Sequence, residues 1–257
     1  MEIFYIILFF IFGCVFGSFY NVVAFRLSNN ESLIRPRSHC PKCMHELSWY
    51  ELIPVISFVI QKGRCRCCKE KISIFYPLME LFCGILFAIS YYSFGFSYEL
   101  LMALALSSMF IIIVVTDLNY YIIPDEVNVF FAILIFIINI FIHGIVGALK
   151  YLGFGFIMFL FMYGLMLIGN FFFKQESLGG GDIKLLFVLG MISPLILSFF
   201  GLTLGAFLAL PASLFLYLKH KDKILPFGPF LVGAFLIIYL LKIDAQVIID
   251  FITMRGI

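Results

Sequence analysis

The chain has 257 residues, of which 63% are hydrophobic and only 12% charged. A soluble domain is about half apolar and a quarter charged, so no interior of this size hides the apolar surface, and a bilayer is the natural solvent. The net charge of +2 carries no signal for nucleic acid, and none is expected as a partner.

Met1 and Glu2 lead straight into an apolar run with no basic start, so a cleaved signal peptide is not expected. Stretches long enough to span, at roughly 20 residues each, lie at about 3–25, 76–95, 98–116, 127–146, 150–173, 184–199, 200–218 and 226–243. The expectation is an all-α polytopic membrane protein of about eight transmembrane helices. Ser193, Pro194 and Gly201 are the only punctuation between the sixth and seventh stretches.

Lys and Arg set the orientation of short loops. Arg35, Arg37, Lys42, Lys62, Arg64, Arg66 and Lys69 crowd the loop after the first span. That loop is expected in the cytoplasm and the N-terminus outside. Alternation then places 117–126, 174–184 and 219–225 inside, where Lys174, Lys184, Lys219, Lys221 and Lys223 agree.

Residues 27–75 form the one sizeable soluble insertion. About fifty residues build a weak core without a staple. Cys40-Pro-Lys-Cys43 is followed after 21 residues by Cys65-Arg-Cys-Cys68. Two such knuckles read as a four-thiolate zinc site in a zinc-ribbon-like insertion. A reducing cytoplasm disfavours disulfides, and four closed ligands leave no catalytic position, so the zinc is expected to be structural. Cys67 leaves the fourth ligand open. Cys68 keeps the two-residue spacing, and His39 and His45 stand as substitutes. Redox chemistry is the competing use of C-x-x-C. Cys14 and Cys83 lie in apolar runs and read as small buried hydrophobes.

Ionisable residues at membrane edges are functional suspects. Two acidic stretches stand out, Thr116-Asp117 to Pro124-Asp125 and Leu178-Gly179-Gly180-Gly181-Asp182-Ile183-Lys184. Peptide hydrolysis by carboxylates needs two close together, one ionised to activate water and one protonated to polarise the carbonyl. Asp117 ends the third span and Asp182 precedes the sixth, so both fall near one face. Gly179, Gly180 and Gly181 allow close approach of a substrate backbone and the unusual dihedrals of a re-entrant turn. A plain Gly-rich loop is the alternative. Asp125, after Pro124, reads first as a helix cap. Lys184 reads as a tuner of the carboxylate or as an interface anchor.

These motifs resemble those of the type IV prepilin leader peptidases, aspartyl proteases of the GxGD type. The resemblance runs through Gly17-Ser18-Phe19-Tyr20-Asn21, Arg26, Pro36-Arg37-Ser38-His39-Cys40, Leu52-Ile53-Pro54, Gly63 to Lys69, Tyr76-Pro77-Leu78-Met79-Glu80 and Pro226-Phe227-Gly228-Pro229-Phe230. Phe75 and Tyr20 depart from the usual arginine and leucine. The resemblance implies cleavage of prepilin or pseudopilin precursors at the cytoplasmic face of a bacterial inner membrane, for pili, competence or secretion. Asp117 and Asp182 carry over as the catalytic pair. It also implies N-methylation of the new terminus by S-adenosylmethionine, for which no nucleotide fingerprint is visible. Asn21, Arg26 and Glu80 read either as lining that site or as helix anchors. The expected organisation is a first helix over 1–26, the cysteine module over 27–75, also the candidate methyltransferase region, and the peptidase domain over 76–257. A proton-coupled transporter and a non-enzymatic assembly factor are the competing readings.

Overall fold

The computed structural model describes residues 1–174, 179–219 and 225–252. Leu178, Lys221 and Lys223 lie outside them. The described regular structure is helical, apart from two isolated β-bridges. The chain divides after Phe96 into two units.

The first unit contains α1 (Glu2–Ser28), α2 (Ile56–Ile60) and α3 (Phe75–Phe94). α1 is apolar all round, and Phe4, Ile7, Ile11, Val15 and Phe19 stay exposed on it, as a lipid-facing helix requires. Its other face is opened by Gly13 and Gly17, four residues apart. A Cβ at Gly13 would lie 2.7 Å from the Cys83 carbonyl oxygen, and one at Gly17 would lie 2.9 Å from the Glu80 Cα. Gly84 of α3 answers them: its Cβ would lie 2.6 Å from Cys14 Sγ. In lipid there is no hydrophobic drive between helices, so close backbone packing at small residues supplies the attraction. At the far end Phe9 stacks on Tyr91, with ring centroids 4.8 Å apart.

The second unit contains α4 (Tyr98–Tyr120), α5 (Asp125–Phe173), α6 (Gly180–Gly190), α7 (Leu195–Lys219), α8 (Gly228–Leu240) and α9 (Ala245–Ile252). α4 is its axis. Leu106, Met109, Ile111 and Ile113 are fully enclosed. α8 packs on it where Gly233 meets the Phe110 ring. α5 is broken at Gly144, whose φ of 71° and ψ of 176° are open to glycine and strained for other residues. The two arms correspond to the expected spans at 127–146 and 150–173, although the break at Gly144 falls inside the first of them, and both arms lie against α6. Asn139 of the first arm donates to the Met191 carbonyl at 2.8 Å. In the second arm Gly155 lies so close that its Cβ would meet the Phe187 carbonyl oxygen at 2.5 Å.

One expected boundary moves. The sixth and seventh spans were expected to part at 199–200, but α6 ends at Gly190 and α7 begins at Leu195. Pro194, which lacks an N–H, marks the junction. Gly201 does not break α7, because the Phe235 ring fills the space beside it. α6 therefore has 11 residues and α8 has 13, or about 16 and 20 Å against a hydrocarbon core of about 30 Å. Among the described residues five helices are long and apolar enough to cross a bilayer, with α5 counted once. The chain is a multi-pass membrane protein.

The helix pair of the first unit depends on absent side chains. Gly84→Val is expected to destabilise it by about 1–3 kcal/mol through overpacking. Thermal unfolding in detergent checks this, with the exposed Tyr92→Val as the control expected to change little.

Candidate active site and metal centre

Asp117 lies in the last turn of α4 and is only 6% exposed. The helix stops just beyond it, where Tyr121 takes a left-handed conformation and donates its N–H to the Asp117 carbonyl at 3.0 Å. The Asp117 carboxylate has its own partner: the Gly228 N–H donates to its Oδ2 at 3.0 Å. Gly228 opens α8, where the first N–H groups have no partner within the helix and the dipole favours negative charge. A Cβ on Gly228 would sit 2.9 Å from that same oxygen, so glycine is what lets the donor approach.

Asp182 is half-buried in the first turn of α6, after the N-cap Gly179. The charge of Asp117 acts on it, so the two carboxylates are electrostatic neighbours. Ile123, in the link from α4 to α5, holds the junction. Its Cβ lies 3.1 Å from where a Gly181 Cβ would be, and its Cδ1 lies 3.1 Å from where a Gly228 Cβ would be. The ends of α4, α6 and α8 thus meet around one side chain.

The expected reason for the glycines is corrected in part. Gly179 is extended at φ −68° and Gly180 and Gly181 are helical; none has a positive φ. Gly181 makes room for Ile123. Gly180 meets nothing within 4 Å and stays open to approach, while a Cβ on Gly179 would come within 3.3 Å of Asp182 Oδ2. Asp125 is corrected too. Pro124 holds the N-cap position of α5, and Asp125 is the first helical residue, with no capping hydrogen bond. It still suits the helix dipole. Its carboxylate takes both bonds from Lys184 Nζ, at 2.8 and 2.7 Å. Both side chains are more than half exposed, so the pair positions the start of α6 more than it stabilises the fold. Lys184 therefore bonds Asp125 on α5. Gly228 is the residue that sequence reasoning missed. The Pro-Phe-Gly-Pro signal was visible, but nothing local linked it to a carboxylate 111 residues away.

In the first unit the structure gathers Cys40, Cys43, Cys65 and Cys68, whose sulfurs all lie within 4.8 Å of one another. The pairs Cys40–Cys68 and Cys43–Cys65 are 3.9 Å apart. A tetrahedral ion with bonds of about 2.3 Å requires sulfurs about 3.8 Å apart, so the cluster fits a metal ion such as zinc. The two knuckles share one local fold. Met44 and Lys69, each just after the second ligand, have φ of 58° and 60°. The Cys40 N–H donates to the His45 carbonyl, and the Cys65 N–H to that of Glu70. N–H groups of Cys43 and Lys42 favour the Cys40 thiolate and lower its pKa to about 7. Cys67 is exposed and outside the cluster. His45 Nε2 lies 3.3 Å from the buried Glu51 instead, and His39 Nδ1 lies 2.9 Å from the Arg37 carbonyl.

Three buried polar residues brace this unit: Arg26 and Glu80 tie the module to its helices, and Asn21 ties α1 to α3. Arg26 donates to the carbonyls of Ser32, Leu33 and Pro36. Asn21 donates to the Tyr76 carbonyl at 3.2 Å. Glu80 accepts the Val55 N–H at 2.8 Å.

The fold and its centres define a polytopic helical membrane protein with two interacting carboxylates in one unit and a four-thiolate cluster in the other. Residues 11–94 match the bacterial peptidase A24 N-terminal domain, and 104–214 match the type IV leader peptidase family. A prepilin leader peptidase/N-methyltransferase from Bacillus subtilis is 37% identical, over 90% of this chain and 92% of its own length. One from Klebsiella pneumoniae is 36% identical over 70% and 82%, and one from Vibrio cholerae is 29% identical over 93% and 98%. No solved structure matches. The chain belongs to the type IV leader peptidase family.

The thiolate cluster predicts metal content directly. Cys65→Ser is expected to lower the metal bound to purified protein to near background, and Cys67→Ser to leave it unchanged; elemental analysis decides.

Proposed function

We propose that this chain is a membrane aspartyl endopeptidase that cleaves the leader from prepilin or pseudopilin precursors and then N-methylates the new terminus. Family membership supports the reaction, and one observation supports its site: Asp117 and Asp182 are brought to the joined ends of α4 and α6 as electrostatic neighbours. Like charges at short range share a proton. In our reading the ionised carboxylate takes a proton from water as it attacks the scissile carbonyl. The protonated one donates to the carbonyl oxygen, then the proton passes to the leaving amine. Gly228, donating to Asp117, fixes which way that carboxylate faces. The open main chain at Gly180 gives the substrate backbone room beside Asp182.

We place this site at the cytoplasmic face of a bacterial inner membrane, with the N-terminus outside, because the Lys- and Arg-rich loop and the aspartates then share one side. We assign peptidase chemistry to 76–257 and associate the 27–75 module with methyl transfer. S-adenosylmethionine is the methyl-donating substrate that this second reaction requires; we assign it no residues. We take zinc as the ion of the Cys40, Cys43, Cys65 and Cys68 cluster, where it holds the two knuckles together. A transporter would place its carboxylates near mid-membrane. Here they lie at helix ends, in the last turn of α4 and the first of α6.

Two sets of substitutions test the reading, with cleavage of a precursor in liposomes as the readout. Asp117→Asn and Asp182→Asn are each expected to lower kcat by at least about 10²–10⁴-fold, and Asp125→Asn to retain most activity. Full activity in either of the first two would remove the pair. Gly228→Val puts carbon where the donor meets Asp117 Oδ2. It is expected to lower kcat at least tenfold by the loss of an oriented charged hydrogen bond, roughly 1.5–3 kcal/mol, with little change in KM.

A further inference from the structure

In the first unit α2 encloses nothing: none of its residues is buried. Ile56, Val59 and Ile60 share one face at i, i+3 and i+4, and they are 56%, 66% and 74% exposed. The 3₁₀ turn Trp49–Leu52 packs beside α2 and leaves Trp49 and Leu52 exposed as well. Large apolar side chains gathered on a surface mark a contact that covers them.

The position of α2 along the helix pair identifies that contact. The Val55 N–H, at the start of α2, donates to Glu80. Glu80 lies a turn and a half along α3, about 8 Å from its start at 1.5 Å per residue. α3 has 20 residues, or about 30 Å, and needs all of them to cross a hydrocarbon core of about that thickness. α1 marks the same depth independently. Gly17 packs against Glu80, yet exposed apolar side chains continue past it, towards the module, to Phe19 and Phe25. Phe25 is about 12 Å further along the helix than Gly17. On α3, Leu78 and Phe82 are exposed on either side of Glu80. Lipid therefore surrounds the helix pair at the level of Glu80, and α2 is tethered at that level.

α2 also has the chemistry of the boundary between acyl chains and headgroups. Main-chain groups at such depth must be paired within the protein. Ser57 donates to the Ile53 carbonyl, Gln61 to that of Ser57 and Gly63 to that of Phe58. Lys62 and Arg64, just beyond the helix, are exposed cations, which suit headgroup phosphates. Tryptophan is favoured in the same zone.

We propose that α2 is an interfacial anchor. Its Ile56, Val59 and Ile60 face is seated in the acyl–headgroup boundary of the bilayer, with Lys62 and Arg64 at the phosphates. A water-soluble partner has no access at that depth. The module that carries the four sulfurs is then held to the membrane at a third point, besides α1 and α3. The inference needs only that α1 and α3 span, and it is independent of the peptidase reading.

Trp49 is the one tryptophan of the chain, which makes the test direct. Trp49→Phe combined with Val59→Trp, and Trp49→Phe combined with Ile60→Trp, each leave a single reporter on the proposed face. The reporters are read in proteoliposomes of phosphatidylcholine and phosphatidylglycerol. Lipid brominated near the headgroup end of its acyl chains is expected to quench them at least about twofold more than lipid brominated near the methyl end, as the shallow seat of an interfacial helix requires. Aqueous acrylamide is expected to quench them at least about threefold less than it quenches free tryptophan. Wild-type protein gives a second readout that needs no substitution. A photoactivated diazirine that partitions into the bilayer, mapped by mass spectrometry, is expected to label Ile56–Ile60 together with the exposed face of α1. Reporters open to acrylamide would place the face in water, and reporters that neither quencher reaches would place it against protein. Either result, or label on α1 with none on Ile56–Ile60, would overturn the anchor. Absence of label on α1 as well would overturn the spanning of the first unit, and the anchor with it.

Discussion

One main-chain donor governs the candidate site. Asp117 ends the most enclosed helix of its unit, where an ionised carboxylate without a partner carries a heavy desolvation penalty. The Gly228 N–H supplies that partner with no charge of its own. A lysine or arginine there would hold the carboxylate permanently ionised and remove it from proton exchange. A single peptide N–H at the head of a helix stabilises the charge while leaving both protonation states within reach, which suits the proton exchange we propose for this carboxylate. Tyr121 ends α4 at the right residue, Ile123 fills the space between three helix ends, and α8 starts at a glycine. Each of these features keeps that donor near Asp117.

The helix that carries Asp182 is braced differently. α6 is too short to take its position from the bilayer, so the two arms of α5 must set it. Asn139 holds its far end through the Met191 carbonyl, Lys184 reaches Asp125 at the near end, and Gly155 and Gly190 let α6 and the second arm pack backbone to backbone. The break at Gly144 is therefore part of the site. Without a residue that tolerates a φ of 71° there, α5 would continue straight and only one arm could contact α6. The result is a half-buried carboxylate at the start of α6, near the helix junction where the buried Asp117 sits.

Much of this was legible in the sequence. Asp117 and Asp182 stood out because charge is scarce in so apolar a chain, and the thiolate cluster because its spacing is specific to one geometry. Helical arms on each side of Gly144 followed from length and hydropathy. What stayed hidden depended on contacts distant in sequence. Gly228 and Asp117 are linked only in three dimensions, so a Pro-Phe-Gly-Pro motif gave no hint of a donor. Asp125 next to a proline resembles a cap, and the lysine 59 residues later that claims it carries no local signal. The glycines before Asp182 suggested unusual dihedrals, because glycine is permissive. The structure uses their lack of a side chain instead, with Gly181 yielding space to Ile123. Of the punctuation between the sixth and seventh stretches, Pro194 marks the break and Gly201 does not, because the Phe235 ring fills the space beside it, and that contact carries no local signal.

The first unit shows how a small polar module is fastened to apolar helices. Val55 has φ 60° and ψ −50°, and the Ile56 N–H bonds back to the Pro54 carbonyl, which makes a tight γ-turn. For a β-branched residue this backbone is strained, and it persists only where surrounding structure over-determines it. Glu80 provides that constraint by accepting the Val55 N–H from within α3, at a position where Gly17 lets α1 come close. The strain thus falls where the module is tied to the helix pair. A metal at the four sulfurs would fix the knuckles to each other, while Glu80 and Arg26 fix the connecting chain to the helices. Neither set of bonds replaces the other. About fifty residues with few enclosed apolar side chains form no core to couple them. Loss of the metal should therefore loosen the knuckles while the γ-turn remains held, because its anchor lies in a helix whose packing owes nothing to the ion.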